Sequence, residues 1–392
     1  MLLQLQSLLV YLLLGILMFF FAYKAEKTDN WLKPIYNLLP LLIFTAVIGL
    51  RYNVGVDWAN YQYLYDEKFY LLTFSEMMDL RFETGFTLLV FFCKIFDAPV
   101  YVFFTVIAAI QILLIYRVYK EDKGVLPYIY LAFIISGVAV QDFCNLLRQD
   151  LAFCVFLIAL KCVSQRKTLQ YILICLLATC FHNSAFILLP LFLLWIKDSE
   201  FFSNTIIQLG ILFICILFSF LDPIKYLLSY ATNLVTMLGY MDYIEVVYEL
   251  ETNSVWGITR YLILIGNLVI ILNSKRIKDY FNSELLNKSY DLYFIGICCY
   301  FLFLGNMMFG RITLYFTNFF FIIYGYTLYY YIKQQKTGRN IIRFGIIAIM
   351  LFISFSSMIY NCTKNTDAYV SYFQEELHPL KDSLRQNMFD QR

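Results

Sequence analysis

The sequence predicts an all-α, polytopic transmembrane helical bundle, and three observations carry that prediction. Of 392 residues, 61% are hydrophobic and only 15% charged, against roughly 25% charged in soluble domains. Uncharged apolar runs at Leu8 to Tyr23, Ile206 to Leu221 and Phe344 to Tyr360 approach the roughly 20 residues that a membrane span needs. Aromatics reach 19%, with many tyrosines near segment ends, where interfacial belts form.

Candidate spans fall at 3–22, 36–50, 84–96, 100–118, 125–141, 145–163, 169–181, 184–196, 204–221, 258–273, 289–309, 312–332 and 341–360. Several of these are short, so the expectation is about 11–13 membrane segments in one integral membrane domain, 1–392. Two polar stretches, 51–83 and 222–257, and a polar C-terminal tail, 361–392, interrupt or follow the series. The first segment has neither a basic n-region nor a small-residue cleavage site, and reads as a retained helix rather than a signal peptide.

A net charge of +2 gives no electrostatic reason to expect nucleic acid as a partner. The ten cysteines lie mostly within apolar runs, without zinc-type spacing, and read as small packing residues. No Asp-x-Asp pair or His/Asp cluster offers a divalent-metal site, so no metal and no cofactor are expected.

Sidedness follows from the basic loops, which favour the cytoplasm. Clusters at Lys24, Lys27 and Lys33; Arg117, Lys120 and Lys123; Lys161, Arg166 and Lys167; Lys275, Arg276 and Lys278; and Lys333, Lys336, Arg339 and Arg343 share one side if 84–96 dips in and returns. Segment 169–196 then reads as two short arms turning at Phe181–Ser184. Both polar stretches and the tail become external.

Ionisable residues near span ends cost roughly 2.5–3.5 kcal/mol at membrane depth and so face a partner or a cavity. The external side collects Arg51, Asp57 and Tyr61 after the second span, Glu83 at the start of the short element, and Arg148 and Gln149 about one turn into a span. It also collects His182 at the hairpin tip and Arg311 before an aromatic span. Each has an ordinary structural alternative: an interfacial arginine, a capping Glu83, an Arg148–Asp150 salt bridge, a packed His182. Asp242, Glu245, Glu249, Glu251 and Arg260 read as a solvated face. Together, Arg51, Arg148 and Arg311 fit an anionic phosphate or pyrophosphate, which guanidinium groups match bidentately. His182 or Asp57 supplies a candidate general base, or the residue that orients it. Trp58, Tyr61, Tyr63 and Tyr65 are candidate stacking surfaces for sugar rings.

Five motifs in order resemble the EpsG-type branch of Wzy-like polysaccharide polymerases. They are Arg51-Tyr-Asn-Val-Gly55-Val-Asp57-Trp-Ala-Asn-Tyr61, Glu83-Thr-Gly85-Phe86, Leu147-Arg148-Gln149-Asp150, Phe181-His182-Asn183-Ser184-Ala185, and Gly310-Arg311-Ile312 with Tyr315 and Phe316. Asp150 departs from the small or hydroxyl residue usual there. The resemblance implies an enzyme, a membrane glycosyltransferase that joins oligosaccharide repeat units carried on undecaprenyl pyrophosphate. Both donor and acceptor are lipid-linked, and the product is O-antigen, capsule or exopolysaccharide. It also implies an active site on the outer face of the bacterial cytoplasmic (inner) membrane, with a flippase and a chain-length regulator as partners. By fold-level analogy the bundle resembles multi-span polyprenol-dependent (GT-C-like) glycosyltransferases. Arg51, Arg148, Arg311, Gln149, Tyr61 and Glu83 would bind substrate, and His182 and Asp57 would be catalytic. The rival readings are a membrane O-acyltransferase of surface sugars and a lipid-linked oligosaccharide flippase; gathering the charges at one face, rather than along a central path, favours the polymerase.

Overall fold

A computed structural model describes residues 2–69, 72–80, 82–122, 124–195, 202–221, 257–304, 307–335, 337–362 and 367–390. The acidic residues 242–251 and the basic residues Lys123 and Lys336 lie outside them. Of the described residues, 83% are helical, and the only strand-type pairing among them is an isolated antiparallel bridge between Arg51 and Ser371. The protein is an all-α, multi-pass membrane protein. Among the described residues, four helices are long and apolar enough to cross a membrane, and a pair bent by 80° makes a fifth crossing if it counts as one span.

The chain divides into two compact units, Met1–Ile196 with Tyr324–Arg392, and Lys197–Ile323. In the first, α1 (Leu2–Lys27) and α2 (Lys33–Gly49) form a hairpin. The inward face of α1 carries Leu3, Ser7, Tyr11, Leu14, Met18, Ala22 and Ala25 at spacings of three and four, while Leu5, Leu9, Leu12, Leu13, Ile16 and Phe20 face outward. A helix apolar on all sides is at home only with lipid on its outer face.

Residues 58–95 build α3 (Trp58–Tyr63), a π-helical turn (Leu64–Lys68), α4 (Phe74–Asp79) and α5 (Thr84–Ile95). These lie on the first half of α6 (Val100–Tyr119), with Trp58, Tyr65, Phe69, Phe86 and Val90 packed on Phe103, Phe104 and Ile107. The 12 residues of α5 extend only about 18 Å. Its first turn bonds to Cys180 through the Gly85 amide, and just past its end the Ala98 carbonyl accepts from Tyr65 at 2.6 Å. At that length α5 is too short to cross a bilayer by itself.

Next come the bent pair α7 (Leu126–Ile135) and α8 (Val138–Asn145), then α9 (Leu147–Ser164) and α10 (Thr168–Thr179). A 3-10 helix, Asn183–Trp195, runs back along α10, with Tyr171 Oη donating to the Leu188 carbonyl. Segment 169–196 is therefore the two-armed hairpin that its turn at 181–184 predicts. The second unit contains α11 (Thr205–Leu221), α12 (Ile258–Phe281), α13 (Glu284–Leu302), α14 (Met307–Thr317) and the start of α15 (Phe319–Lys333). Buried polar pairs tie it together: Tyr293 Oη to Asn267 at 2.7 Å and Tyr290 Oη to Gln208 at 2.8 Å. The first unit closes with α16 (Gly338–Asn361) and α17 (His378–Asp390).

Sidedness within the first unit is explicit. The Gly124 amide donates to Glu26 at 3.1 Å, Lys161 Nζ reaches the Arg117 carbonyl at 3.1 Å and Glu121 at 3.0 Å, and Tyr326 Oη bonds to Asp122. The basic loops around Lys24–Lys33, Arg117–Lys120, Lys161–Lys167 and Lys333 thus share one end. The cluster Lys275–Lys278 belongs to the second unit.

Candidate functional site

At the opposite end of the first unit, three of the sequence motifs meet. Glu83 precedes α5, but its side chain makes no capping bond within that helix. One carboxylate oxygen instead accepts from Arg148 at 2.6 Å, and the other from the Asn183 amide at 3.2 Å. Arg148 lies in the first turn of α9, where the helix dipole disfavours a cation, and the carboxylate opposite offsets that cost. The Arg148 side chain is 26% exposed and that of Glu83 7%. The guanidinium also lies over the rings of Phe82 and Phe86, at 5.4 and 5.6 Å. Tyr61 hydrogen-bonds Arg148; burial pushes its phenol up and the cation pulls it partly back. Among the described residues, Arg148 Nε is buried without a hydrogen-bond partner.

Gly85 explains part of the motif that carries it. A Cβ there would lie 2.8 Å from the Cys180 carbonyl oxygen, which accepts the Gly85 amide at 2.7 Å. That approach seats the start of α5 against the turn holding His182. Within this turn, His182 Nδ1 sits 2.6 Å from Ser184 Oγ and 3.3 Å from the Ser184 amide. An amide N–H only donates, so it favours Nδ1 as the acceptor and the ring proton on Nε2.

The opening motif folds into a tight loop beside this junction. Asn53 and Gly55 have φ of 53° and 95°, and a Cβ on Gly55 would meet the Cys144 carbonyl at 2.9 Å. Asn145 Oδ1 accepts the Asp57 amide at 2.8 Å, so the loop is held against the end of α8, three residues before Arg148. Arg51 is 1% exposed. Its two terminal nitrogens donate to the carbonyls of Ile48 and Cys144, and the guanidinium lies 4.9 Å from the Phe104 ring centre. The guanidinium expected to hold pyrophosphate is thus engaged by the main chain, at the joint between α2, α8 and the C-terminal segment.

Of the aromatics expected to stack on sugars, Trp58, Tyr61 and Tyr65 are buried. Trp58 packs on Phe104, Tyr61 on Phe86 and Tyr65 on Phe103, with centroids at 5.8, 5.9 and 5.2 Å. Tyr63 is 58% exposed. Gln149 is buried next to Arg148. Arg311 is an exposed residue on α14 of the second unit. Among the described residues, no three His, Cys, Asp or Glu side chains converge to hold a metal ion.

Reading motifs in order missed the partners supplied from afar. The stretch marked as a polar tail returns to the loop: Tyr52 N–H and Tyr372 N–H bond across to Val370 and Leu50 at 2.8 Å. Asp382 then accepts from Tyr52 Oη and from Asn53 Nδ2, and burial together with that bond pushes the Tyr52 phenol up to about 12. The one signal for this in the sequence is the spacing of Lys381, Asp382 and Arg385 on a short helix after Pro379.

Neither a curated relative nor a solved structure matches the chain. A family model does: residues 34–373, from the start of α2 through the segment paired with Arg51, match the EpsG family, and the protein belongs to that family.

Proposed function

We propose that the protein is a membrane glycosyltransferase of the polysaccharide-polymerase type. It joins oligosaccharide repeat units carried on undecaprenyl pyrophosphate at the outer face of the bacterial cytoplasmic membrane. One observation carries this reading: Glu83, Arg148 and the His182–Asn183 turn, from three separate motifs, form one hydrogen-bonded junction at the end of the unit opposite the basic loops.

In the reaction, a hydroxyl of the incoming unit attacks the anomeric carbon of the growing chain. The bond from that carbon to the pyrophosphate oxygen breaks, undecaprenyl pyrophosphate leaves with the electron pair, and the hydroxyl proton passes to a base. Arg148 meets the charge that develops on the pyrophosphate. Its position is set in advance by Glu83 and Tyr61, and a donor aimed beforehand costs no reorganisation as charge develops. Asp57 is the base we assign. His182, with its proton on Nε2, donates to the departing phosphate or to a sugar oxygen. Arg51 holds the loop that carries Asp57. Gln149 supports Arg148 from within α9, and Tyr63 offers the exposed ring for a sugar.

The test uses membranes containing the protein and a lipid-linked repeat unit, with products separated on a gel. Wild-type protein yields a ladder, and Arg148→Ala yields single units only. The ladder persists in EDTA if the arginine replaces a metal. Polymer formed equally by cells lacking the protein sinks the reading. Labelled acetate entering an otherwise unpolymerised glycan supports the acyltransferase instead.

A further inference from the structure

The C-terminal helix α17 begins at His378, beyond the region matched by the family model, which ends at residue 373. It nevertheless makes its side-chain bonds to the family's opening motif. Asp382 Oδ1 accepts from Asn53 Nδ2 at 2.6 Å, and Oδ2 from Tyr52 Oη at 3.0 Å. One turn on, Arg385 donates to the carbonyls of Gly55 and Val56 at 2.5 and 3.3 Å. The His378 ring stacks flat on Tyr52, with centroids 3.5 Å apart and planes within 6°. Beneath the helix, Lys381 is 1% exposed and donates to the Ala368 carbonyl.

The loop these residues grip is also tied down by Arg51, by the Tyr52–Val370 backbone bond and by Asn145. Two of its residues, Asn53 and Gly55, sit at positive φ. On the far side, the loop rests on Cys144 and Asn145. The segment is therefore clamped between the end of α8, which leads into Arg148, and a polar helix that only side-chain bonds and one stacked ring hold against it.

We propose that α17 is a latch on the 51–57 loop, with Asp382 and Arg385 as positioning residues that hold Asp57 in register with Arg148. The reactive groups lie in the family region, and the latch sets the spacing between two of them. This rests on the polymerase reading for its consequence, but not for the latch itself.

The test exchanges one hydrogen-bonded pair in the full-length protein. Asn53→Asp sets two carboxylates against each other. Asp382→Asn removes the charge, and the double exchange N53D/D382N restores a single donor–acceptor pair with the roles reversed. Docking is read without any activity assay, by trypsin cleavage after Lys381, followed as loss of a C-terminal tag. Loss of a bond of this kind corresponds to about a tenfold change. Asn53→Asp is expected to accelerate cleavage by about that factor, and to lower kcat for chain extension comparably at unchanged KM for the lipid-linked unit. The double exchange recovers both. Cleavage unaffected by Asn53→Asp overturns the latch. Faster cleavage with unchanged kcat overturns its positioning role. A wild-type protein that makes no polymer overturns the polymerase reading and with it the positioning role, while the cleavage rates still decide the latch.

Discussion

The carboxylate of Glu83 grips Arg148 at 2.6 Å with one oxygen and the backbone of Asn183 with the other. A residue expected as a helix cap or a binding group is instead the joint between α5, α9 and the turn carrying His182. Its side chain is almost fully buried, so the pair is held in a low-dielectric setting where losing one partner strands the other.

Removing either partner is therefore expected to destabilise the protein by about 3 kcal/mol, the low end for a buried pair because Arg148 keeps some solvent contact. Glu83→Gln and Arg148→Met should each lower the thermal midpoint in detergent. The double variant should lose less than the sum of the two. Additive losses would show that the two residues act independently.

Gly85→Ala places a methyl group 2.8 Å from the Cys180 carbonyl, and Gly55→Ala adds a Cβ at a φ of 95°. Each is expected to cost roughly 1–3 kcal/mol, from crowding in one case and backbone strain in the other. Unfolding midpoints of purified protein measure this. Wild-type midpoints for both would mean that the loop and α5 shift freely at these contacts.

The assignment of Asp57 as base and His182 as donor separates the two residues. Asp57→Ala should abolish the ladder. Ser184→Ala, which frees Nδ1 of one partner, should slow extension without abolishing it. Full-length ladders from both Asp57→Ala and His182→Ala would remove these residues from the mechanism.

Lys381 gives a pH dependence of definite sign. Burial, outweighing the nearby Asp367 carboxylate, lowers its amine to about 8, below the usual value of about 10.4. Between those limits the unfolded chain binds the extra proton, so stability rises as pH increases from about 8 towards 10. Below pH 8 both states are protonated and the penalty is constant. The unfolding midpoint should climb over that interval, and Lys381→Met should remove the climb. A fall in the wild-type midpoint over that same interval would contradict the assignment.

Opposite ends of the first unit should label from opposite sides of the membrane. A cysteine at Asn183 is expected to react with an impermeant thiol reagent added outside intact cells. Cysteines at Asp29 and Lys167, both at exposed positions near the basic loops, should react only after the cells are opened. Labelling of all three from outside would refute the proposed orientation.

The class of the protein was legible residue by residue. Apolar run length, scarce charge and interfacial tyrosines are local properties, and lipid immersion demands them of any sequence that spans. The hairpin at 169–196 was legible for the same reason: each of its arms is too short to cross alone. Motif order also located the junction residues, because Glu83, Arg148 and His182 are polar groups at span ends that need a partner.

Which partner each one takes was decided only by packing. Arg51 and Arg148 look alike in the sequence, yet the first is buried on main-chain carbonyls and the second is held by the Glu83 carboxylate. Trp58, Tyr61 and Tyr65 look like sugar platforms and become the core of a cap over α6. The polar tail contains a helix docked on a loop some 330 positions earlier in the chain. Hydrophobic periodicity specifies which segments enter the membrane. The pairing of a buried charge depends on which distant segments come within hydrogen-bond reach, and only the folded chain determines that.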